Sequence, residues 1–96
     1  MNVTICTIGE LLVEFLAKEE NQGFSRPGEF WGPYPSGAPA IFADQVAKLG
    51  FGSVLFSCVG SDAFGEMNIA RLEKDGVNVD GIAMLKKATT GSAFVS

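Results

Sequence analysis

Residues 36–65, SGAPAIFADQVAKLGFGSVLFSCVGSDAFG, restrict the fold of this chain more than any other stretch. The small residues Ser36-Gly37-Ala38-Pro39-Ala40 form a turn that opens a helix over Ile41–Leu49, whose apolar positions Ile41, Phe42, Val46 and Leu49 follow helical spacing. Gly50 stops that helix, and the apolar run Ser53–Val59 reads as a buried strand. A second glycine-bounded turn follows, in which Asp62 caps a helix over Ala63–Asp75 that ends at Gly76. Strands joined through helices lie parallel and connect by right-handed crossovers, so an α/β layer is expected. At the first turn, a helix start with no bulky side chain in the way offers unpaired N–H donors and roughly half a positive charge. Such a turn suits a small, oxygen-rich ligand.

The flanking segments add strands of another kind. Val3–Ile8 is β-branched and nearly all apolar, as expected of a strand buried on both faces. Leu11–Ala17 carries one interior charge, Glu14, and residues 18–27 form a polar loop. Glu29–Tyr34 is aromatic and contains Pro33, which suits an edge strand. Val77–Leu85 leads through the polar turn Lys86–Thr89 to Thr90–Ser96, which reads as the return strand of a hairpin. The order β, β, β, α, β, α, β, β places the central layer at about 2–9 and 37–79. The strands at about 11–18, 28–35 and 80–96 are left for a small separate sheet over one end of that layer. The 96 residues give room for one small domain at most, and a central layer of two or three strands is narrower than the usual five or six. The expectation is the N-terminal part of a larger domain.

Composition removes several function classes. Apolar residues make up 47% and charged residues 19%, enough to build a core. The net charge of −4, with no basic cluster beyond Lys86-Lys87, argues against nucleic acid. No apolar run is long enough to span a membrane, and no signal peptide is visible, which points to the cytoplasm. Cys6 and Cys58 sit in strand-like runs and are expected to be buried free thiols, and with no histidine a Cys/His zinc site is excluded. No G-x-G-x-x-G follows the first strand, which weakens a dinucleotide-binding reading.

Five blocks then occur in order: GELLVEF at 9–15, SGAPA at 36–40 with KLG at 48–50, CVGSDAFG at 58–65, GV at 76–77 and TGSAFV at 90–95. In this order and spacing they resemble the N-terminal third of the PfkB (ribokinase-like) carbohydrate kinases. The fructokinase and 2-keto-3-deoxygluconate kinase branch is the most similar, and SGAPAIFADQVAKLG is similar to bacterial kinases of ketoses such as tagatose or fructose. The resemblance implies a Rossmann-like α/β domain with a β-sheet lid that also forms homodimers in many members. It implies transfer of the γ-phosphoryl of ATP to a hydroxyl of a small sugar, with Mg2+. On that pattern Glu14, one methylene longer than the usual Asp, reaches sugar hydroxyls, and Ser36, Gly37 and Ala38 hold the sugar.

This chain departs from the family at two positions. Ser36 replaces the first Gly of the usual Gly-Gly, and Ile41 replaces an Asn that bonds the sugar. Asp44 and Gln45, three and four residues on and on the same helical face as Ile41, are candidates to restore a polar contact, and Gln45 is the residue singled out for test. The family's Gly-Ala-Gly-Asp block and ATP segments have no counterpart here, so no catalytic, ATP-binding or metal residue is expected in the chain, and the 96 residues alone are expected to be inactive. The alternative is a non-catalytic fragment that binds sugar or self-associates. A gene that continues past Ser96 into a Gly-x-Gly-Asp block favours the kinase, and a stop codon there favours the fragment. Phe30, Trp31 and Tyr34 suit lid or dimer packing or a platform for a sugar ring.

Overall fold

Eight elements follow one another in the expected order. The computed structural model describes residues 3–96. They are β1 (Thr4–Ile8), β2 (Leu12–Ala17), β3 (Phe30–Ser36), α1 (Ala38–Lys48), β4 (Gly52–Gly60), α2 (Ala63–Lys74), β5 (Ile82–Leu85) and β6 (Gly91–Val95). The strand–helix alternation builds a parallel central sheet in the order β1-β4-β5. A second sheet, β3-β2-β6, pairs β2 antiparallel to β3 and parallel to β6. The fold is therefore α/β with a small separate sheet.

One apolar cluster joins both helices to the central sheet. Ala40 and Ala43 of α1 and Leu72 of α2 meet Leu55 and Val59 of β4 and Ile82 of β5. Leu55 and Val59 are four apart on a strand, so both point to the same face, and both helices cover that face. Leu55 and Leu72 are fully withdrawn from water, each worth about 1.5–3 kcal/mol. The exposed Lys18–Glu29 ion pair at 3.0 Å is worth under about 1 kcal/mol, so apolar contact dominates.

Four expectations change. First, α1 begins at Ala38, not Ile41, with Gly37 as its N-cap residue. Pro39 sits in the first helical turn, where its missing N–H and fixed φ cost nothing. Second, β5 and β6 do not form a hairpin. β5 joins the central sheet beside β4, while β6 crosses to β2, so the stretch 80–96 is shared between the two sheets. Third, β1 is not buried on both faces. The helices cover one face only, and on the other Ile8 is 83% exposed and its register partner Phe56 is 44% exposed. Fourth, for the same reason Cys6 and Cys58 are exposed, although both are free as expected.

Asp62 caps α2 and also ties the two sheets together. Its Oδ1 accepts from the Gly65 N–H at 2.8 Å and from the Thr90 hydroxyl at 2.7 Å, and its Oδ2 accepts from the Thr90 N–H at 2.8 Å. The Thr90 Oγ1 in turn accepts from the Gly60 N–H at 3.0 Å. This is what sends the chain from the end of β5 across to β6 and prevents the hairpin. Gly65 is required here, because a Cβ would meet the Gly60 carbonyl and approach Thr90 Oγ1 to 3.0 Å. A second tie is Asn68, fully buried on α2, which donates to the Leu12 carbonyl of β2 at 3.2 Å.

An ion network around one buried carboxylate joins the two helices. Asp44 is 2% exposed, and its Oδ2 lies 3.3 Å from Arg71 Nη2 and 3.4 Å from Lys48 Nζ. Asp75 closes the group, 3.5 Å from Arg71 Nε and 3.6 Å from Lys48. Burial pushes the Asp44 carboxyl pKa up, in spite of the Arg71 charge.

Two outcomes follow from these contacts. Arg71→Met leaves the Asp44 charge buried with Lys48 alone. Removing one partner of a buried pair typically costs about 3–5 kcal/mol, and with Lys48 still in place the expected loss is about 2 kcal/mol in denaturant unfolding. An unchanged midpoint would show that Lys48 suffices. The Thr90 N–H, then the Thr90 hydroxyl and the Gly65 N–H, hold the Asp62 carboxyl pKa down. A lowered folded pKa gives stability that is present above the unfolded value and lost as pH falls through the folded value. Asp62→Ala is therefore expected to lower the melting temperature, with a smaller gap from wild type at pH 3 than at pH 7. Equal gaps at both pH values would rule out a contribution from the charge.

Candidate substrate site

The site grows from the contact between the β3–α1 turn and the chain leading into β2. Gly37 has φ 101°, a conformation that side chains disfavour. A Cβ there would lie 2.9 Å from the Glu10 carbonyl and 3.0 Å from Leu11 Cα. Both restrictions demand glycine, so the turn lies flush on the Glu10–Leu12 backbone. Ser36 ends β3 opposite Leu12 and is buried, while Ala38, the first helical residue, is exposed. Ile41 donates its N–H to the Gly37 carbonyl at 2.9 Å, the first bond within the helix. The Ala38 and Ala40 N–H groups therefore lack intrahelical partners, and Pro39 has none to offer.

Ile41 is 48% exposed, and Gln45, one turn on, is exposed beside it. Asp44 is not. It points into the α1–α2 interface, where Arg71 and Lys48 hold it. Of the two polar residues considered near Ile41, only Gln45 has a free side chain.

Glu14 sits in the middle of β2, half-buried. Its register partners are Tyr34 on β3 and Ala93 on β6. Such partners share a sheet face, with Cβ atoms about 4.5–5.5 Å apart. The row Tyr34–Glu14–Ala93 lies between the row Ser36–Leu12–Gly91 and the row Trp31–Leu16–Val95. The opposite face carries Val13, Phe15, Ala17, Phe30 and Phe94. There Phe15 meets Phe64 of α2 edge-on with centroids 5.9 Å apart, and Phe94 at 4.9 Å. Sheet periodicity thus separates an aromatic packing face from a face with one acid.

Among the described residues the ion pairs engage Lys18 with Glu29, and Asp44 and Asp75 with Lys48 and Arg71. The Glu14 carboxylate has no such partner and is available to accept hydrogen bonds. None of Glu14, Ser36, Gly37, Ala38, Ile41 and Gln45 lines the depressions along the 18–29 loop, at the ends of β2 and β6, or beside the start of α2. One of about 570 Å³ lies along the 18–29 loop, and one of about 410 Å³ lies between the start of α2 and β6. Of the six, Ala38, Ile41 and Gln45 are exposed at the β3–α1 turn and the first turns of α1, Glu14 is half-buried, and Ser36 and Gly37 are buried. Among the described residues no group of three or more His, Cys, Asp or Glu converges on a metal position.

The sequence did not flag Thr90 or Asn68, the residues that fix the second sheet on the helices. Asn68 had a legible signal: it interrupts the apolar stripe Phe64, Asn68, Leu72 at helical spacing. Thr90 had none, since its partners are Asp62 and Gly60, at least 28 residues away.

Residues 3–96 match the family described as pfkB family carbohydrate kinase. A sugar kinase of Pyrococcus horikoshii is 42% identical over 91 residues, covering 95% of this chain and 29% of the relative. Fructokinase-2 of Oryza sativa subsp. japonica is 35% identical over 92 residues, covering 96% of this chain and 27% of its own length. A solved E. coli structure provisionally named ribokinase II superposes with a TM-score of 0.92 at 55% identity, covering 95% of this chain and 29% of that one. That E. coli protein has also been solved in complex with ATP and Mg2+. The chain spans less than a third of the length of the curated relatives it matches. It belongs to the pfkB family of carbohydrate kinases.

Proposed function

We propose that this chain carries the sugar-binding side of an ATP-dependent sugar kinase. In that reaction the γ-phosphoryl of ATP passes to a hydroxyl of a small ketose or keto-deoxy sugar acid. The observation that carries the reading is the free Glu14 carboxylate on the exposed face of β2, within a chain that matches the family over residues 3–96. Two features support it. A carboxylate accepts from sugar hydroxyls, and hydrogen bonds to charged groups are stronger than neutral ones. The turn at Ser36, Gly37 and Ala38 leaves the N–H of the exposed Ala38, at the start of α1, without an intrahelical partner. Ile41 then offers the sugar an apolar contact where the family resemblance implies a polar one, and Gln45 is the polar group within reach on the same helical face.

Phosphoryl transfer works by positioning and electrostatic stabilisation of the transferred group. The role assigned to this chain is to bind and orient the acceptor sugar. The groups that take up the hydroxyl proton and bind ATP and Mg2+ are assigned to chain beyond these residues. ATP supplies the phosphoryl group when bound. The domain division follows the two sheets, with β2, β3 and β6 as the lid and the helix-covered β1-β4-β5 sheet as the core. The exposed apolar face with Ile8 and Phe56 is where further chain would pack in a domain of the relatives' length. A cytoplasmic location and a homodimer through the β3-β2-β6 sheet belong to the same proposal. No helix among the described residues is long and apolar enough to cross a membrane.

The test is a coupled ATP-consumption screen of the full-length protein over ketoses, aldoses and keto-deoxy acids. Turnover of at least one sugar is expected, and none on the whole panel would end the reading. Glu14→Gln removes a charge-assisted bond, so the sugar KM should rise about 10- to 100-fold, with the KM for ATP within about twofold. Gln45→Leu should raise the sugar KM by about fivefold, the loss of a neutral hydrogen bond. An unchanged value would remove Gln45 from the site.

A further inference from the structure

The pairing of β2 with β3 contains a register shift, and the shift decides which side chains stand beside Glu14. Leu12 pairs with Ser36, Val13 with Pro35 and Glu14 with Tyr34, but Leu16 then pairs with Trp31 rather than Gly32. One extra residue of β3 is accommodated at Gly32-Pro33, opposite Phe15. Without it, Gly32 would face Leu16, and Trp31 would turn to the opposite face beside Phe15 and Ala17, while Phe30 would leave that face. The bulge therefore moves a tryptophan onto the Glu14 face. Bulges re-aim side chains in this way beside binding sites.

We propose that Tyr34 and Trp31 form an aromatic wall that contacts the sugar and sets which sugar is accepted. The inference rests on the sugar-site reading given above and deepens it. Tyr34 stands directly across from Glu14 on β3, 44% exposed, and Trp31 lies one row further along, 53% exposed. Neither takes part in the packed ring contacts, which involve Phe15, Phe24, Phe30, Phe64 and Phe94. Lys18 lies over the Trp31 ring at 5.8 Å from its centroid and is itself held by Glu29 at 3.0 Å. The indole thus has a cation on one side and keeps more than half its surface open.

On the other flank of Glu14 the register partner is Ala93, which occupies little space. The face is asymmetric: a bulky aromatic side, an acid at the centre and an open side over β6. A sugar whose hydroxyls reach the Glu14 carboxylate would lay its apolar C–H surface against the Tyr34 and Trp31 rings. The Tyr34 hydroxyl, with no hydrogen-bond partner among the described residues, would bond one further sugar oxygen. The rings measure the stereochemistry on that side, because an axial hydroxyl there would lose its water against a ring and gain no partner.

The experiment uses the full-length protein, with KM for sugar, KM for ATP and kcat measured across the same sugar panel. Tyr34→Phe should raise the KM of the preferred sugar by about fivefold through loss of the hydroxyl bond. Tyr34→Ala and Trp31→Leu should each raise it by about tenfold through loss of ring contact, change the order of preference among epimers, and leave the KM for ATP within about twofold. Sugar KM and ranking unchanged in Tyr34→Phe and Trp31→Leu would overturn the proposal, even if Tyr34→Ala failed to fold. A changed oligomeric mass with unchanged sugar KM would overturn it in favour of a subunit contact. Glu14→Gln separates the two levels. If it raises the sugar KM while the aromatic variants do not, only the wall fails, and if the wild type phosphorylates no sugar, the wall and the site reading fail together.

Discussion

Thr90 meets Asp62 and Gly60 at the point where the two sheets come together, and the other arrangements follow from that contact. The carboxylate at the start of α2 accepts from both the N–H and the hydroxyl of Thr90, while the same hydroxyl oxygen accepts from the end of β4. One side chain thus caps a helix, anchors the entry to β6 and aligns that strand with β2. β6 arrives parallel to β2 because its start is held at the far end of the central sheet, not because of a local turn. Asn68 fixes the other strand of that pair by its bond to the Leu12 carbonyl. With these ties in place, the second sheet lies across the end of the helices and Phe15 packs on Phe64.

The candidate site depends on that anchoring. β2 is the middle strand of its sheet, so Glu14 has a neighbour on each side, and the two neighbours, Tyr34 and Ala93, lie far apart in the chain. The close fit of Gly37 on the Glu10–Leu12 backbone links the start of α1 to the same strand. Small errors in how the second sheet docks would therefore shift the carboxylate relative to the helix start. Asp44 strengthens this arrangement from behind, since its buried bonds to Arg71 and Lys48 hold α1 against α2.

Much of this was readable one element at a time. The caps at Asp62, Gly50 and Gly76 depend on neighbours within a few residues, and the two helices and the strand at 53–59 formed close to where the spacing placed them. The apolar stripe read for α1 is not its buried face: Ile41, Phe42 and Leu49 are exposed, and Ala40, Ala43 and Val46 meet the core, because the sheet packs on the small residues. The ordered blocks from Gly9 to Val95 carried the family. What escaped depends on partners far along the chain. Residues 90–96 follow residues 77–85 across a short polar turn, which suits a hairpin locally. The actual partners are Leu12–Leu16 and Gly60. Apolar composition suggested strands covered on both sides, yet coverage depends on what packs over them, and the face of Ile8, Phe56 and the two cysteines is open. Asp44 and Gln45, adjacent in the sequence, differ in the same way: one faces α2 and the other faces water.

The sequence by itself determined the class of fold, the order of elements and the family, because these rest on local periodicity, capping residues and the spacing of short blocks. The tertiary structure alone decided which strand pairs with which, that Tyr34 and Ala93 flank Glu14, and that the bulge at Gly32-Pro33 turns Trp31 to the same face. The physical reason is that side chains alternate along a strand, so a shift of one residue moves each of them to the other side of the sheet. That shift is set by bonds between distant segments, and no local pattern records it.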